Sequence, residues 1–387
     1  MRFKLPWSKR HKKVTGGLPY SFSNSYAEPL TSAELIELSK ANGDQAIVDE
    51  YFNHSLEYTA NGGSADLRDA IAALYGPAIG PENILVFSGA QAAISTMAFA
   101  LLDEETHSIV FTPGYQSVQE APYFAGSQVT KISLRYDNDW RIDLDEVAAA
   151  IQPNTKYIVV NQPANPTGTL MTAEEQSRLV QLAQDNDIYV LSDEVYRLIE
   201  HTEDVQIPAM ADIYHRGTSI VTLSKPWGAC GVTIGWIATQ DMQLLDTLSD
   251  IQYFGTACPS RASELLAIMT LRNSDAILQK NIAIIKTNMA LLDQFFDDYH
   301  AYFEWVRPNA GAVGFVKFKG PWDTDRLGLE LAKAGISIKP AYVFSEQVTE
   351  AVDFFRLGYG ERKMAAALEQ LKLFIELHKA EWQQQMR

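Results

Sequence analysis

Four side chains capable of chemistry stand just past apolar, β-rich runs. Lys225 follows "TSIVTLS", Asp193 follows "IYVLS", Tyr196 comes three residues after that acid, and Asn165 sits in "NQPANPTG", beyond "KYIVV". Open α/β sheets place their ligands at the carboxyl ends of their strands, so an amine, an acid, a phenol and an amide are expected along one edge. Taken singly, each has a plain structural account: a lysine after a strand usually faces solvent, an acid there often caps a helix, and "NPTG" is ordinary turn chemistry. Their convergence is what points to a site.

Such a set suits a pyridine aldehyde. A lysine can hold the aldehyde as a Schiff base, an acid can keep the ring nitrogen protonated so that the ring draws electrons from a carbanion, and the amide and phenol can hydrogen-bond the ring hydroxyl. A cradle for a phosphate adjoins: "FSGAQAAIST" passes from a strand through Ser88 and Gly89 into an Ala-rich helical stretch, aiming free backbone N–H groups at an anion. Tyr115, in "TPGYQSV", lies past another strand and can stack on a ring.

The elements that must position these groups alternate along the chain. Strands are expected at 83–87, 107–111, 156–160, 188–192 and 218–224, apolar without strict alternation, as in strands buried on both faces. Between them lie amphipathic stretches, one opened by a Thr172/Glu175 capping box and one by a candidate N-cap, Ser64. The pattern is that of a mostly parallel sheet with helices on its faces. After about Asn281 a long apolar-periodic helix begins, then strand-like pieces near "AVGFVKF" and "ISIKP", then a last helix from about Glu361. We expect a large domain over 46–285 and a smaller α/β domain from 1–45 and 286–387, with an N-terminal arm. No internal repeat or low-complexity linker interrupts them.

Composition excludes several classes. The chain has 387 residues, 47% of them hydrophobic, enough for two lobes. Its 48 acidic against 32 basic residues give a net charge of −16, which disfavours nucleic acid and anionic lipid as partners. Two cysteines, Cys230 and Cys258, encode neither a disulfide framework nor a zinc site, so no metal is expected and a reducing, cytoplasmic setting fits. No apolar run approaches the roughly 18 residues of a membrane span. The first 14 residues form a basic tract, read as a solvated arm and not as a transit peptide.

The chain resembles the aspartate aminotransferase superfamily, the class I/II aminotransferases of fold type I, which use pyridoxal 5'-phosphate. The likeness runs from about "AEPLTSAEL" to the C-terminal helix and is carried by "NQPANPTG", "SDEVYR" and "SKPWGACGVTIGW", in the family's order and at family-like spacing. It implies that Lys225 is the Schiff-base lysine, that Asp193 pairs with the ring nitrogen, and that Asn165 and Tyr196 contact the ring oxygen. Gly89, Ala90, Gln91 and Ser224 would cradle the phosphate and Tyr115 would stack on the ring. Arg356, in "FFRLGYG", matches the arginine that grips the substrate α-carboxylate, a task suited to its planar fork. Tyr58 matches a tyrosine that reaches the neighbouring subunit's phosphate, which implies a homodimer with shared sites.

One position departs from the family pattern. The register reads Ser224, Lys225, Gly228, Gly231, and then Thr233 where an arginine usually binds the phosphate. Threonine brings no charge, so cofactor binding should weaken unless another cation, with Arg261 a candidate, moves in. The segments "LRDAIAALY", "DIQYFGTACPSRASELLA" and "WVRPNAGAVGF" are similar to the branch containing capreomycidine-synthase-like enzymes, which use the cofactor for elimination and ring closure. The expected activity is transamination of an α-amino acid. The alternatives are elimination, replacement or cyclisation on a polar or guanidino amino acid and, third, a non-catalytic regulator that binds the cofactor. The side-chain pocket is expected from the loop "GGLPYSFSNSYAEP", with Tyr26 as a substrate-binding candidate.

Overall fold

The computed structural model describes Trp7, Lys9, residues 17–346 and residues 351–386. Apart from Trp7 and Lys9, the basic tract lies outside the described residues.

After β1 (Tyr20–Ser21), seven strands build the central sheet: β2 (Ile84–Phe87), β3 (His107–Thr112), β4 (Gln128–Ser133), β5 (Thr155–Asn161), β6 (Tyr189–Asp193), β7 (Gly217–Thr222) and β8 (Gly235–Thr239). Their order is β2-β8-β7-β6-β5-β3-β4, and β8 alone runs antiparallel to its neighbours. This is the mostly parallel sheet that the alternation predicts, with seven strands, five of them at the expected positions. Side chains along β5 show why its sequence does not alternate in polarity. Ile158 and Val160 pack on one face beside Leu179, Val180 and Ala183, while Tyr157 and Val159 pack on the other beside Ile94, Met97 and Leu248. Both faces are covered by helices, so both registers must be apolar.

Two strands escape the periodicity. β4 is an edge strand, mostly partly exposed with an exposed Gln128, and carries polar residues. β8 is masked by the glycine-rich segment that precedes it. Helix starts divide similarly. Thr172 and Glu175 form the expected capping box. Ser64 occupies the cap position without a side-chain capping bond, because its hydroxyl accepts from Arg261 Nη1 at 3.1 Å.

The remaining chain folds on a second core. A 25-residue helix, Ser274–Asp298, starts earlier than its apolar periodicity suggests and leads into β9 (Phe303–Trp305) and β10 (Val313–Phe318). Next come β11 (Ile336–Ser337), β12 (Lys339–Pro340), β13 (Phe354–Gly358) and the helix Met364–Gln385. β12, β13, β10 and β9 form an antiparallel sheet, and β1 pairs in parallel with β11. Phe22 from the N-terminal segment and Tyr196 from the loop after β6 are buried in this second core beside Leu292, Phe355 and Trp382. The loop that carries the candidate site is thereby clamped between the two sheets.

Candidate active site

The carboxyl edge of the central sheet carries the chemistry. Asp193 is the last residue of β6 and stands in register with Asn161 at the end of β5 and Ile220 in β7. Lys225 follows shortly after β7. The chain turns there at Gly228, whose φ is +65° and where an added Cβ would lie 2.5 Å from the carbonyl oxygen of Glu28. Glycine is required so that the N-terminal segment can pass closely, and that passage is fixed by Ala27 N donating to Lys225 O at 3.0 Å.

Burial sets the electrostatics. The Asp193 carboxyl is pushed up to about 7 by burial, even though the Lys225 ammonium pulls it back. Lys225 is pushed down to about 8, first by burial and then by the nearby Arg356 guanidinium, and its Nζ donates to Ser25 Oγ at 3.1 Å. A lysine and an acid are thus brought into the range where each can change protonation near neutral pH.

Arg356 stands on β13 and is only 2% exposed. Its Nη1 donates to Asn165 Oδ1 at 3.0 Å and its Nη2 to Ser23 O at 2.6 Å, while Nε has no partner among the described residues. The Tyr196 hydroxyl is buried and makes no hydrogen bond of good geometry among the described residues, and burial pushes it up to about 12. Gln91 Nε2 donates to Tyr115 Oη. Gly89, at φ +87°, is the N-cap of the helix Ala90–Leu101, whose first turn points into the same space.

These groups line one cavity of about 350 Å³. Of the residues singled out from sequence, Gly89, Ala90, Gln91, Tyr115, Asn165, Asp193, Tyr196, Ser224, Lys225, Thr233 and Arg356 lie on its wall. Tyr26 does not: it lines an adjoining cavity with Leu35 and Trp227, and Ser25 is the residue that faces Lys225. Tyr58 is 96% exposed and away from this chain's cavity. Arg261 is absent from the wall; it bridges Glu50 at 2.5 Å, Asp66 at 2.9 Å and Glu264 at 3.1 Å, so it is committed elsewhere. Thr233 has φ +58°, its hydroxyl donates to Gly231 O at 3.4 Å, and its Cγ2 is the atom nearest an added Cβ on Gly89. It therefore turns a methyl, not a donor, toward the helix start.

Sequence reasoning passed over Ser25, Asn161, Cys230 and Lys339, all on the wall. Only Lys339 had a readable signal. In "ISIKP" strand alternation sets it opposite the fully buried Ile338.

The residues fit pyridoxal phosphate. A buried acid, an orphaned phenol, a lysine of lowered basicity and a helix start converge on one cavity, and the mismatch is confined to the uncharged Thr233.

Fold and site together define a fold type I enzyme that uses pyridoxal 5'-phosphate. The pattern described as aminotransferase class I and II matches residues 23–370, and the chain belongs to that family. It is 30% identical over 337 residues to an aspartate aminotransferase of Bacillus subtilis, covering 83% of this chain and 84% of the relative. It is 27% identical over 318 residues, 80% of this chain and 79% of the relative, to the capreomycidine synthase of Streptomyces vinaceus. The match to mouse kynurenine–oxoglutarate transaminase 1, 29% identical, spans only 54% of either chain. A PLP-dependent aminotransferase from Streptococcus suis superposes with a TM-score of 0.90 at 28% identity, over 97% of this chain and 98% of that one. Among the described residues no helix is long and apolar enough to cross a membrane.

Proposed function

We propose that the chain transfers the amino group of an α-amino acid to a keto acid. The carrying observation is the placement of Lys225 and Asp193 near neighbouring strand ends, the acid buried and the lysine partly buried, and both shifted toward neutrality. Bound cofactor supplies a protonated ring that accepts electron density from the substrate α-carbon. Asp193 would keep that ring protonated. Lys225 Nζ would take the substrate's α-proton and later return one, which its lowered basicity favours. Arg356 holds the substrate α-carboxylate through its unpartnered Nε and an adjacent Nη, and Asn165 holds the guanidinium in plane. Asn165 and Tyr196 would hold the ring oxygen, Tyr115 would stack on the ring, and Gly89, Ala90, Gln91, Ser224 and Thr233 would bound the phosphate end.

The proposal includes a cytoplasmic homodimer with shared sites. Supporting it, Leu56, Tyr58 and Phe254 expose 95%, 96% and 88% of their surface, and Phe52 and Tyr253 also stand out from the surface. The proposed large domain spans 46–285, and 1–45 with 286–387 form the smaller one.

The test is the absorption spectrum of the cofactor-loaded protein during addition of an amino-acid panel that includes arginine and hydroxyarginine. Bleaching of the visible band by one amino acid and its return with a keto acid establishes transamination. Recovery of the band without a keto acid establishes elimination or cyclisation instead.

A further inference from the structure

We infer that Ser25 is a positioning residue for Lys225, its hydroxyl holding Nζ in place in both the ammonium and the amine state. The inference rests on the reading of Lys225 as the residue that takes and returns a proton. Lys225 Nζ donates to Ser25 Oγ at 3.1 Å, across 200 positions of chain, and both residues line the cavity. A serine hydroxyl accepts as readily as it donates, so it takes a hydrogen bond from an ammonium and turns its own O–H to the lone pair of an amine. A carboxylate in that place would favour the ammonium, and an alkyl group would leave it without that partner.

The backbone fixes where the hydroxyl stands. Phe22 N donates to Ser337 O at 2.8 Å and Gly358 N donates to Phe22 O at 2.8 Å, so the segment enters the site pinned to β11 and β13. Two glycines leave room for its passage: an added Cβ would lie 1.8 Å from Asn24 O at Gly358 and 2.2 Å from Tyr26 O at Gly360. Every second residue then makes a contact with the site. Ser23 O accepts from Arg356 Nη2 at 2.6 Å, Ser25 Oγ accepts from Lys225 Nζ, and Ala27 N donates to Lys225 O at 3.0 Å. The other titratable groups that face the amine are Arg356 from β13, Cys230 from its own loop and Asp193 from β6. Arg356 offers donors only and repels an ammonium, the Cys230 thiol donates to Ser224 O at 3.2 Å, and Asp193 is assigned to the ring nitrogen in the proposed reaction. The hydroxyl of Ser25 is the group that suits both states of Nζ.

The test labels the cofactor-free protein with trace acetic anhydride across a pH series and reads acetylation of Lys225 by mass spectrometry, which titrates the amine directly. Ser25→Ala should lower the midpoint by about one pH unit, because the bond to the ammonium is charge-assisted and the bond to the amine is not. Ser25→Thr should return it, and Ser25→Val, which has threonine's shape without the hydroxyl, should not. In the cofactor-loaded enzyme, Ser25→Ala and Ser25→Val should lose about tenfold in kcat with KM and the visible band held, and the isotope effect from an α-deuterated amino acid should rise. A midpoint unmoved in Ser25→Ala, a valine variant equal to the threonine one, or a KM that rises in step with the loss of kcat overturns the inference. Should Ser25→Ala not fold, the threonine and valine pair decides. A protein whose band responds to no amino acid overturns the proposed function, whereas the labelling, which needs neither cofactor nor substrate, still decides the role of Ser25.

Discussion

Arg356 and Asn165 are joined by a 3.0 Å hydrogen bond from Nη1 to Oδ1, although 191 positions separate them in the chain. The bond couples the small antiparallel sheet to the loop beyond β5, so the carboxylate grip proposed for Arg356 depends on how the two sheets sit against each other. Arg356→Lys keeps the charge and loses the planar fork. We expect KM for every reactive amino acid to rise about 10- to 100-fold, with kcat less affected and the cofactor band retained. Steady-state kinetics and the spectrum check this, and an unchanged KM would remove Arg356 from the carboxylate site.

Replacing Lys225 by Met should abolish the visible cofactor band and all turnover. It should also change the stability of the cofactor-free protein. Lys225 is held down to about 8 by burial, so below that pH the folded chain carries a poorly solvated charge. As pH rises from about 8 toward the ordinary lysine range, the unfolded chain keeps a proton that the folded chain has shed, and stability increases. Lys225→Met should be more stable than wild type near pH 7, by on the order of 2 kcal/mol, with the gap closing toward pH 10. Denaturant melts of the cofactor-free proteins at both pH values measure it.

Asp193→Asn removes the group proposed to hold the ring nitrogen. We expect kcat to fall at least about 100-fold, the scale seen when a preorganised electrostatic partner is lost. In the cofactor-free protein the sign of the pH effect is the opposite of Lys225's. Between the ordinary aspartate range and about 7 the folded chain keeps a proton that the unfolded chain has lost, so stability falls with rising pH through that window. The Asn variant should lack that slope, as melts at pH 4.5 and 7 would show.

Thr233 combines an uncharged side chain at the proposed phosphate end with a left-handed backbone that β-branched residues adopt at a cost. Thr233→Arg should tighten pyridoxal phosphate about tenfold or more in an equilibrium titration, by adding a charge-assisted bond. Thr233→Asn, which tolerates the same φ, should raise stability by about 1 kcal/mol. An unchanged affinity in the arginine variant would mean that neutral donors suffice.

Phe254 is 88% exposed in the isolated chain. If it belongs to the dimer face, Phe254→Asp should shift the sedimentation coefficient toward the monomer at micromolar concentration and leave far-ultraviolet dichroism unchanged. A monomeric wild type would sink the dimer outright.

Much of the fold was readable because its signals are local. A strand buried on both faces must be continuously apolar, as β5 is, and a capping box is complete within four residues, as at Thr172–Glu175. Position past a strand end then places Lys225, Asp193 and Asn165 on one edge, and all three line the same cavity. β4 was not legible because an edge strand needs only one covered flank and can afford polar residues.

What the tertiary structure alone decided is which side chain of a loop faces inward and which charges are already taken. Ser25 and Tyr26 are neighbours with no distinguishing periodicity, yet the close passage of the N-terminal segment over Gly228 turns the serine to Lys225 and the tyrosine into the next cavity. Arg261 looked available in the sequence and is held by Glu264, three residues on, and by Glu50 and Asp66, far from it in the chain. Lys339 acquired its place through pairing with Arg356. The sequence by itself determined the periodicities, the strand ends and the chemical types of the site. Contacts between distant segments depend on how two sheets and an arm pack together, and no short window of residues encodes that packing.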